Sequence, residues 1–393
     1  MQERAKRTRL KILDGALAVI AHEGLAGVTH RAVAEAGGVS LAATTRHFAT
    51  KEDLVAALSE RLREDYLGNF HALEARLQSG AAPGVRSLED LALKVARNAL
   101  TTGRDRALVW CELMLQGGRS AEGRHEARTW YTRIDEVWET IGRALPLSPN
   151  GMSAAMAVDL TVGLQVLLHP LRASRDDLSR LFKGECDALS LAAQPSARVS
   201  GDAPGPDATP GQIVEATISL LVREGPQGVS YRAVAEAAHL SRSAPAYHFA
   251  SRDALLETAQ AALFRRAKAR YRTALRAFDL SEGDLAHLGD LTSAVFFGEA
   301  MLHHEENLAF YALWVRAAEN PALRPAVTGA LADQQRAWAA TLRRARGSQP
   351  PARAPLFMEA LFVGKLIRAI AAGREIGLMA HARAHFDAIA RRP

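Results

Sequence analysis

The chain has only two cysteines, Cys111 and Cys186, in 393 residues. That scarcity excludes a disulfide framework and any multi-cysteine zinc or iron–sulfur site. Cys111 sits in an apolar, helix-like run and is expected to be a buried reduced thiol. Cys186 lies between Glu185 and Asp187, with no basic group beside it to activate a thiolate. Long apolar runs are also missing. Asp159 and Gln165 interrupt the stretch 154–168, and Lys365 and Arg368 interrupt 360–372, so no membrane partner is expected. The basic start at Arg4, Lys6 and Arg7 lacks the apolar core of a signal peptide, which predicts a cytoplasmic protein. Catalytic signatures are absent too: there is no Gly-rich phosphate loop, nucleophile elbow or paired-cysteine motif. The run His303-His304-Glu305-Glu306 lacks metal-binding His-Glu-x-x-His spacing. No enzyme activity, metal or cofactor is expected.

What remains is ordinary globular material: 48% hydrophobic and 23% charged residues, with a net charge of +6. The length suggests two or three domains. A mild basic excess suits a polyanionic partner if the charges gather on one surface.

The chain repeats itself. Gly27-Val28-Thr29-His30-Arg31-Ala32-Val33-Ala34-Glu35-Ala36 returns as Gly228-Val229-Ser230-Tyr231-Arg232-Ala233-Val234-Ala235-Glu236-Ala237, an offset of 201. Between Gly24–Val55 and Gly225–Leu256, 15 of 32 aligned positions are identical. Leu88-Glu89-Asp90-Leu91 and Leu288-Gly289-Asp290-Leu291 keep the register within one residue. So long a repeat denotes a duplicated unit. The halves join through 195–211, where Pro195, Pro204, Pro206 and Pro210 mix with Gly201, Gly205 and Gly211. This composition predicts a linker, with a reach of about 55–60 Å when extended. The expected organisation is a first head at 1–55, a helical domain at 56–194, the linker, a second head at 212–256 and a second helical domain at 257–393.

Nearly every segment has helical spacing. Leu10, Leu13, Leu17, Ile20 and Ala21 recur every three or four residues, as do Val214, Ile218, Leu221 and Val222. Strand alternation and Asn-Gly turns do not occur. The predicted fold class is all-α.

Each half opens with three short helices. Thr29 is placed to cap a helix ending near Ala36; Gly37-Gly38-Val39 turns; Ser40 caps a helix to Phe48. In the second half Ser230 caps, Ala238-His239-Leu240 turns and Ser241 caps Arg242–Phe249, with His239 in a left-handed position. Two short helices across a tight turn form a helix-turn-helix, whose second helix fits a DNA major groove.

These residues resemble the tetracycline-repressor (TetR) family of transcription regulators. The likeness rests on Gly24…Val28-Thr29…Val33-Ala34…Ala36-Gly37-Gly38-Val39-Ser40…His47-Phe48-Ala49-Thr50-Lys51-Glu52-Asp53-Leu54. It rests equally on Gly225…Val229-Ser230…Val234-Ala235…Leu240-Ser241…His248-Phe249-Ala250-Ser251-Arg252-Asp253. The resemblance implies double-stranded DNA and a small-molecule effector as partners. It also implies two fused units packed as an intramolecular pseudo-dimer, with further dimerisation left open. Repression is a family-level expectation.

The recognition helices differ. The first carries Ser40, Leu41, Thr44, Thr45, Arg46 and His47; the second carries Ser241, Arg242, Ser243, Tyr247 and His248. Arg46 and Arg242 suit guanine edges, whereas Tyr247 suits a phosphate. Thr29, Arg31, Lys51, Ser230, Arg232 and Arg252 complete the predicted DNA-binding set, with caps or solvated charges as the alternative. Arg4, Lys6, Arg7, Arg9 and Lys11 form a basic arm before and into the first helix, suited to phosphates. For the effector pocket the candidates are Trp110, Met114, Phe297, Met301, Phe310 and Trp314, although a Met or aromatic residue on a helix is more often ordinary core. An imperfect palindrome is the expected target. The alternative is a helical small-molecule sensor or interaction protein, with one or both heads no longer reading DNA.

Overall fold

The computed structural model describes residues 2–80, 84–146, 151–191, 208–277, 284–373 and 381–392. Helices dominate, and no strand occurs among the described residues. The first unit runs α1 (Gln2–Glu23), α2 (His30–Ala36), α3 (Leu41–His47), α4 (Lys51–Gln78), α5 (Leu88–Leu100), α6 (Arg104–Gly117), α7 (Ala121–Ala144), α8 (Ala154–Leu168), α9 (Arg175–Lys183) and a short α10 (Ala188–Leu191). The second runs α11 (Thr209–Glu224), α12 (Tyr231–Ala237), α13 (Ala244–His248), α14 (Arg252–Ala277), α15 (Leu285–Met301), α16 (His304–Arg316), α17 (Arg324–Arg346), α18 (Ala354–Ala372) and α19 (Ala382–Ala390). Most of the expected linker falls outside the described residues. Thr209–Gly211, assigned to it from sequence, already belong to α11, where Pro210 suits the first turn because its missing N–H has no helical acceptor there.

Serine starts many of these helices. Ser87, Ser120, Ser153 and Ser174 each accept the backbone N–H three residues on, satisfying a donor the helix leaves bare.

The two units meet along α8 and α18, both almost wholly buried. The contact is backbone on backbone. A Cβ added to Gly163 would lie 1.7 Å from the Ala360 carbonyl oxygen, and one on Gly364 would lie 1.7 Å from that of Asp159. Gly163 and Gly364 are 201 apart, as are Asp159 and Ala360. The relation is therefore reciprocal, as in an isologous two-fold interface, and glycine is required on both sides. The segment Ala154–Leu171 has the length and composition to cross a membrane, yet 83% of it is buried inside the protein. Its apolarity is explained by the seam.

Charges inside the seam break the symmetry. Asp159 receives the Lys365 ammonium at 2.9 Å and Arg368 Nε at 2.8 Å, and Arg368 also reaches Asp135 at 2.7 Å. Asp159, Lys365 and Arg368 are all buried. Burial pushes the Asp159 carboxyl up, but Arg368 and Lys365 outweigh it and hold it below the usual carboxylate range. The counterparts of these residues at the same offset are Ala360, Leu164 and Leu167. The acid belongs to one unit and both bases to the other.

Candidate nucleic-acid interface

In the first head, Thr29 Oγ1 accepts the Ala32 N–H at 3.1 Å and Ser40 Oγ accepts that of Ala43 at 3.2 Å, so both expected caps form. Gly38 turns with φ +60°, and His239 takes the same place in the second head with φ 55°. Leu41, Thr45 and Arg46 on α3 face outward, as does Arg31 on α2, while His47 is half-buried. Thr44 corrects the expectation. It is fully buried, and its hydroxyl donates to the Leu41 carbonyl at 2.7 Å, so it packs the head and cannot touch DNA. Phe48 closes the core beneath it, with the Arg9 guanidinium 5.2 Å above its ring. The basic arm is helical throughout: Arg4, Lys6, Arg7, Arg9 and Lys11 are exposed residues of α1. Lys51, the first residue of α4, is half-buried.

The second head departs more. Ser230 caps α12 as expected, accepting the Ala233 N–H at 3.1 Å. Ser241 does not cap a helix over 242–249. Helix α13 starts only at Ala244, Ser243 precedes it in a helical conformation without a side-chain cap, and Ser241 Oγ lies 3.3 Å from Ser243 Oγ. Pro245 supplies a reason. It stands where the first head has Thr44, is buried likewise, and has no N–H to give the Ser241 carbonyl the bond that Thr44 gives that of Ser40 at 3.3 Å. Arg242 and Ser243 consequently sit on an exposed turn. Tyr247 is 85% exposed, and its ring meets that of the exposed His248 edge-on. Two further candidates make local bonds. Arg252 donates to the carbonyls of Val229, at 2.7 Å, and Pro226, tying α14 to the turn before α12. The fully exposed Arg232 pairs with Glu236 at 2.9 Å.

Each head is gripped by the opposite unit. Arg316, at the end of α16, donates to the His22 carbonyl at the end of α1 at 3.1 Å. Arg119, after α6, donates to the carbonyls of Leu221 and Val222 near the end of α11, at 3.1 and 3.3 Å. Both place an arginine on last-turn carbonyls of a helix, of which that of Leu221 also accepts the Gly225 N–H. Glu319 adds an anchor on the first head, accepting from Arg104 at 2.9 Å and lying 3.3 Å from His22 Nδ1.

The family model described as bacterial regulatory proteins, tetR family, matches residues 12–58 and again 213–259. That described as tetracyclin repressor-like, C-terminal domain, matches 283–392, and together they span just over half of the chain. The chain belongs to the TetR family. A crystal structure described as a TetR-family transcriptional regulator from Rhodococcus sp. is 25% identical, with a TM-score of 0.37, over 45% of this chain and 93% of that one. No curated protein matches it.

Each TetR unit contains a cavity open to one side. The first, about 720 Å³, lies among α4–α8 and is walled by Tyr66, Phe70, Trp110, Trp130 and Trp138. Trp130 and Trp138 donate to Ser59 and Tyr66, each at 2.8 Å, while Trp110 Nε1 is buried with no partner among the described residues. The second, about 400 Å³, lies among α14–α18 and includes Phe310, Tyr271, Tyr311, Trp338 and Glu359. Of the six predicted pocket residues, Trp110 and Phe310 line a cavity. Met114 and Trp314 line neither, being core residues, and Trp314 Nε1 donates across the seam to the Leu167 carbonyl at 3.3 Å. Phe297 and Met301 are 39% and 45% exposed on the outer side of α15 and line neither. Sequence reasoning missed the cavity residues Tyr66, Tyr271, Gln334 and Glu359.

Proposed function

We propose that this TetR-family regulator binds DNA sequence-specifically as a single chain, represses transcription in the cytoplasm, and is released by a small-molecule effector. The observation that carries the proposal is the pairing of two unlike heads on one seam. Leu41, Thr45 and Arg46 face outward on one head, and Arg242, Ser243 and Tyr247 on the other. Arg46 and Arg242 would read base edges; Tyr247, His248 and Arg31 would hold phosphates. The basic face of α1 would strengthen the first head through further phosphate contacts. The heads would occupy half-sites of an imperfect palindrome, spaced about 34–36 Å or a multiple of it. The domain boundaries expected from sequence would divide the chain into these heads and their effector domains.

Release follows from the crossed grips. An effector among α4–α8 or α14–α18 would bias α6 or α16, whose C-terminal ends hold the opposite head through Arg119 and Arg316. Its influence on DNA affinity equals its difference in affinity for the two head spacings. Selection of bound duplexes from random DNA tests the whole reading. A site with two different half-sites, bound with affinity that falls steeply as salt rises, supports it. A symmetric site, or no enrichment, refutes it.

One observation favours a second reading. The shortened α13 and its uncapped start leave the second head with a single turn of helix behind Arg242. That head would then hold the backbone while the first alone reads bases, and one enriched half-site would be recovered.

A further inference from the structure

The second cavity contains a carboxylate that no basic side chain answers. Glu359 on α18 is 2% exposed; its Oε2 accepts the Gln335 amide, and its Oε1 has no partner among the described residues. Gln334 Oε1, another acceptor lining the cavity, is also buried without a partner among the described residues. The neighbouring acids are satisfied. Glu299 is held by Arg270 at 2.7 Å and by Asn307 at 2.9 Å, and Asp333 by Lys268 at 2.6 Å. Arg272 and Arg336 line the same cavity as exposed residues.

The duplicated unit shows that the scaffold does not need this acid. At the offset of 201, Glu359 corresponds to Val158 and Gln335 to Ile134, and both apolar residues line the first cavity. A buried carboxyl with an unpartnered oxygen costs a fold stability in either protonation state, whereas, once ionised, it and Gln334 present two acceptors among aromatic walls, a receptor for a cationic donor. We propose that the second cavity takes a monocationic amine with a flat apolar body, its N–H groups on Glu359 Oε1 and Gln334 Oε1 and its rings among Tyr271, Phe310 and Trp338. An ammonium near aromatic faces gains from their negative quadrupoles. The inference rests on reading this cavity as the effector site.

Binding moves a proton. Burial pushes the Glu359 carboxyl up to about 8, against the opposing effect of the Gln335 bond, so the empty cavity holds it protonated at neutral pH. Tyr271 on α14 and Tyr311 on α16 are pushed up by burial first and by the Glu359 charge second, so both stay neutral beside it. The arriving ammonium stabilises the carboxylate, and the carboxyl proton leaves to solvent.

Titration calorimetry on the full chain, in two buffers of different ionisation heat, tests this. The probes are tryptamine, its neutral counterpart tryptophol and its acidic counterpart indole-3-propionate. At about pH 6.5, tryptamine is expected to fill one site per chain about tenfold more tightly than either counterpart, releasing about one proton. Glu359→Gln should cost tryptamine about tenfold while leaving tryptophol unchanged and the circular dichroism intact. Equal or weaker binding of tryptamine than tryptophol, no binding, no proton release, or an unaffected Glu359→Gln variant would overturn the proposal. DNA retention is measured separately. Tryptamine that binds as expected but leaves the DNA complex intact contradicts effector release and spares the ligand class. DNA binding without amine binding does the reverse.

Discussion

At the seam, Gly163 and Gly364 make the same close approach, whereas Asp159 faces Lys365 and Arg368 with no mirrored set. In a homodimer every substitution appears twice across the axis, so an acid on one face and two bases on the other cannot arise. Fusion removes that restriction. Pairing two first units would set Asp159 against Leu164 and Leu167. Pairing two second units would leave Lys365 and Arg368 buried beside Ala360. Either would strand charge away from water, at a cost of several kcal/mol per ion. Backbone contact keeps the two halves alike, and side-chain chemistry lets them specialise.

Asp159→Ala should break the comparison most severely. It leaves Lys365 and Arg368 in the seam without their shared acid, a loss of about 3–5 kcal/mol in urea unfolding. Replacing all three by leucine should recover most of that loss, and a recovery of nothing would mean that packing rather than charge is responsible.

Between the heads, Arg46→Ala should weaken DNA binding by about 1–3 kcal/mol and relax one position of one half-site only. A footprint and affinity unchanged in a gel shift would remove Arg46 from the reading set.

Between the cavities, Glu359 gives a pH signature that Val158 cannot. Its ordinary unfolded value lies near 4.3, and its folded value is about 8, so the native state binds a proton that the unfolded chain lacks between them. Stability from this group should therefore fall as pH rises through that window, by about 1.4 kcal/mol per unit. Glu359→Gln should flatten the profile, and an unchanged slope would place the titration elsewhere.

The smallest effect concerns the two caps. Ser40→Ala should cost the first head about 1 kcal/mol, because it strips a bond from α3, while Ser241→Ala should cost much less. Hydrogen exchange at Ala43 and Ala244 distinguishes the two.

The paired heads were legible because their signals are local: cap residues, a turn needing a left-handed residue, and a repeat confirming each position. The face of α3 was not, since seven residues give too little periodicity to decide whether Thr44 or Thr45 points inward. Pro245 was visible, but its effect on the Ser241 cap depends on where α13 starts. Pocket residues failed for a different reason. Trp314 and Phe310 look alike on a helix, and only the neighbouring helix decides which one faces empty space. The seam did leave a sequence trace. Asp159, Lys365 and Arg368 stand inside the two most apolar helices, and their opposite signs could have suggested that those helices meet.

The central claim, that one chain supplies both DNA grips, is tested most directly by the mass of the DNA complex in sedimentation equilibrium on the selected duplex. The account predicts one 42.4 kDa chain per duplex at saturation. Two chains per duplex, with single chains failing to bind, would contradict it.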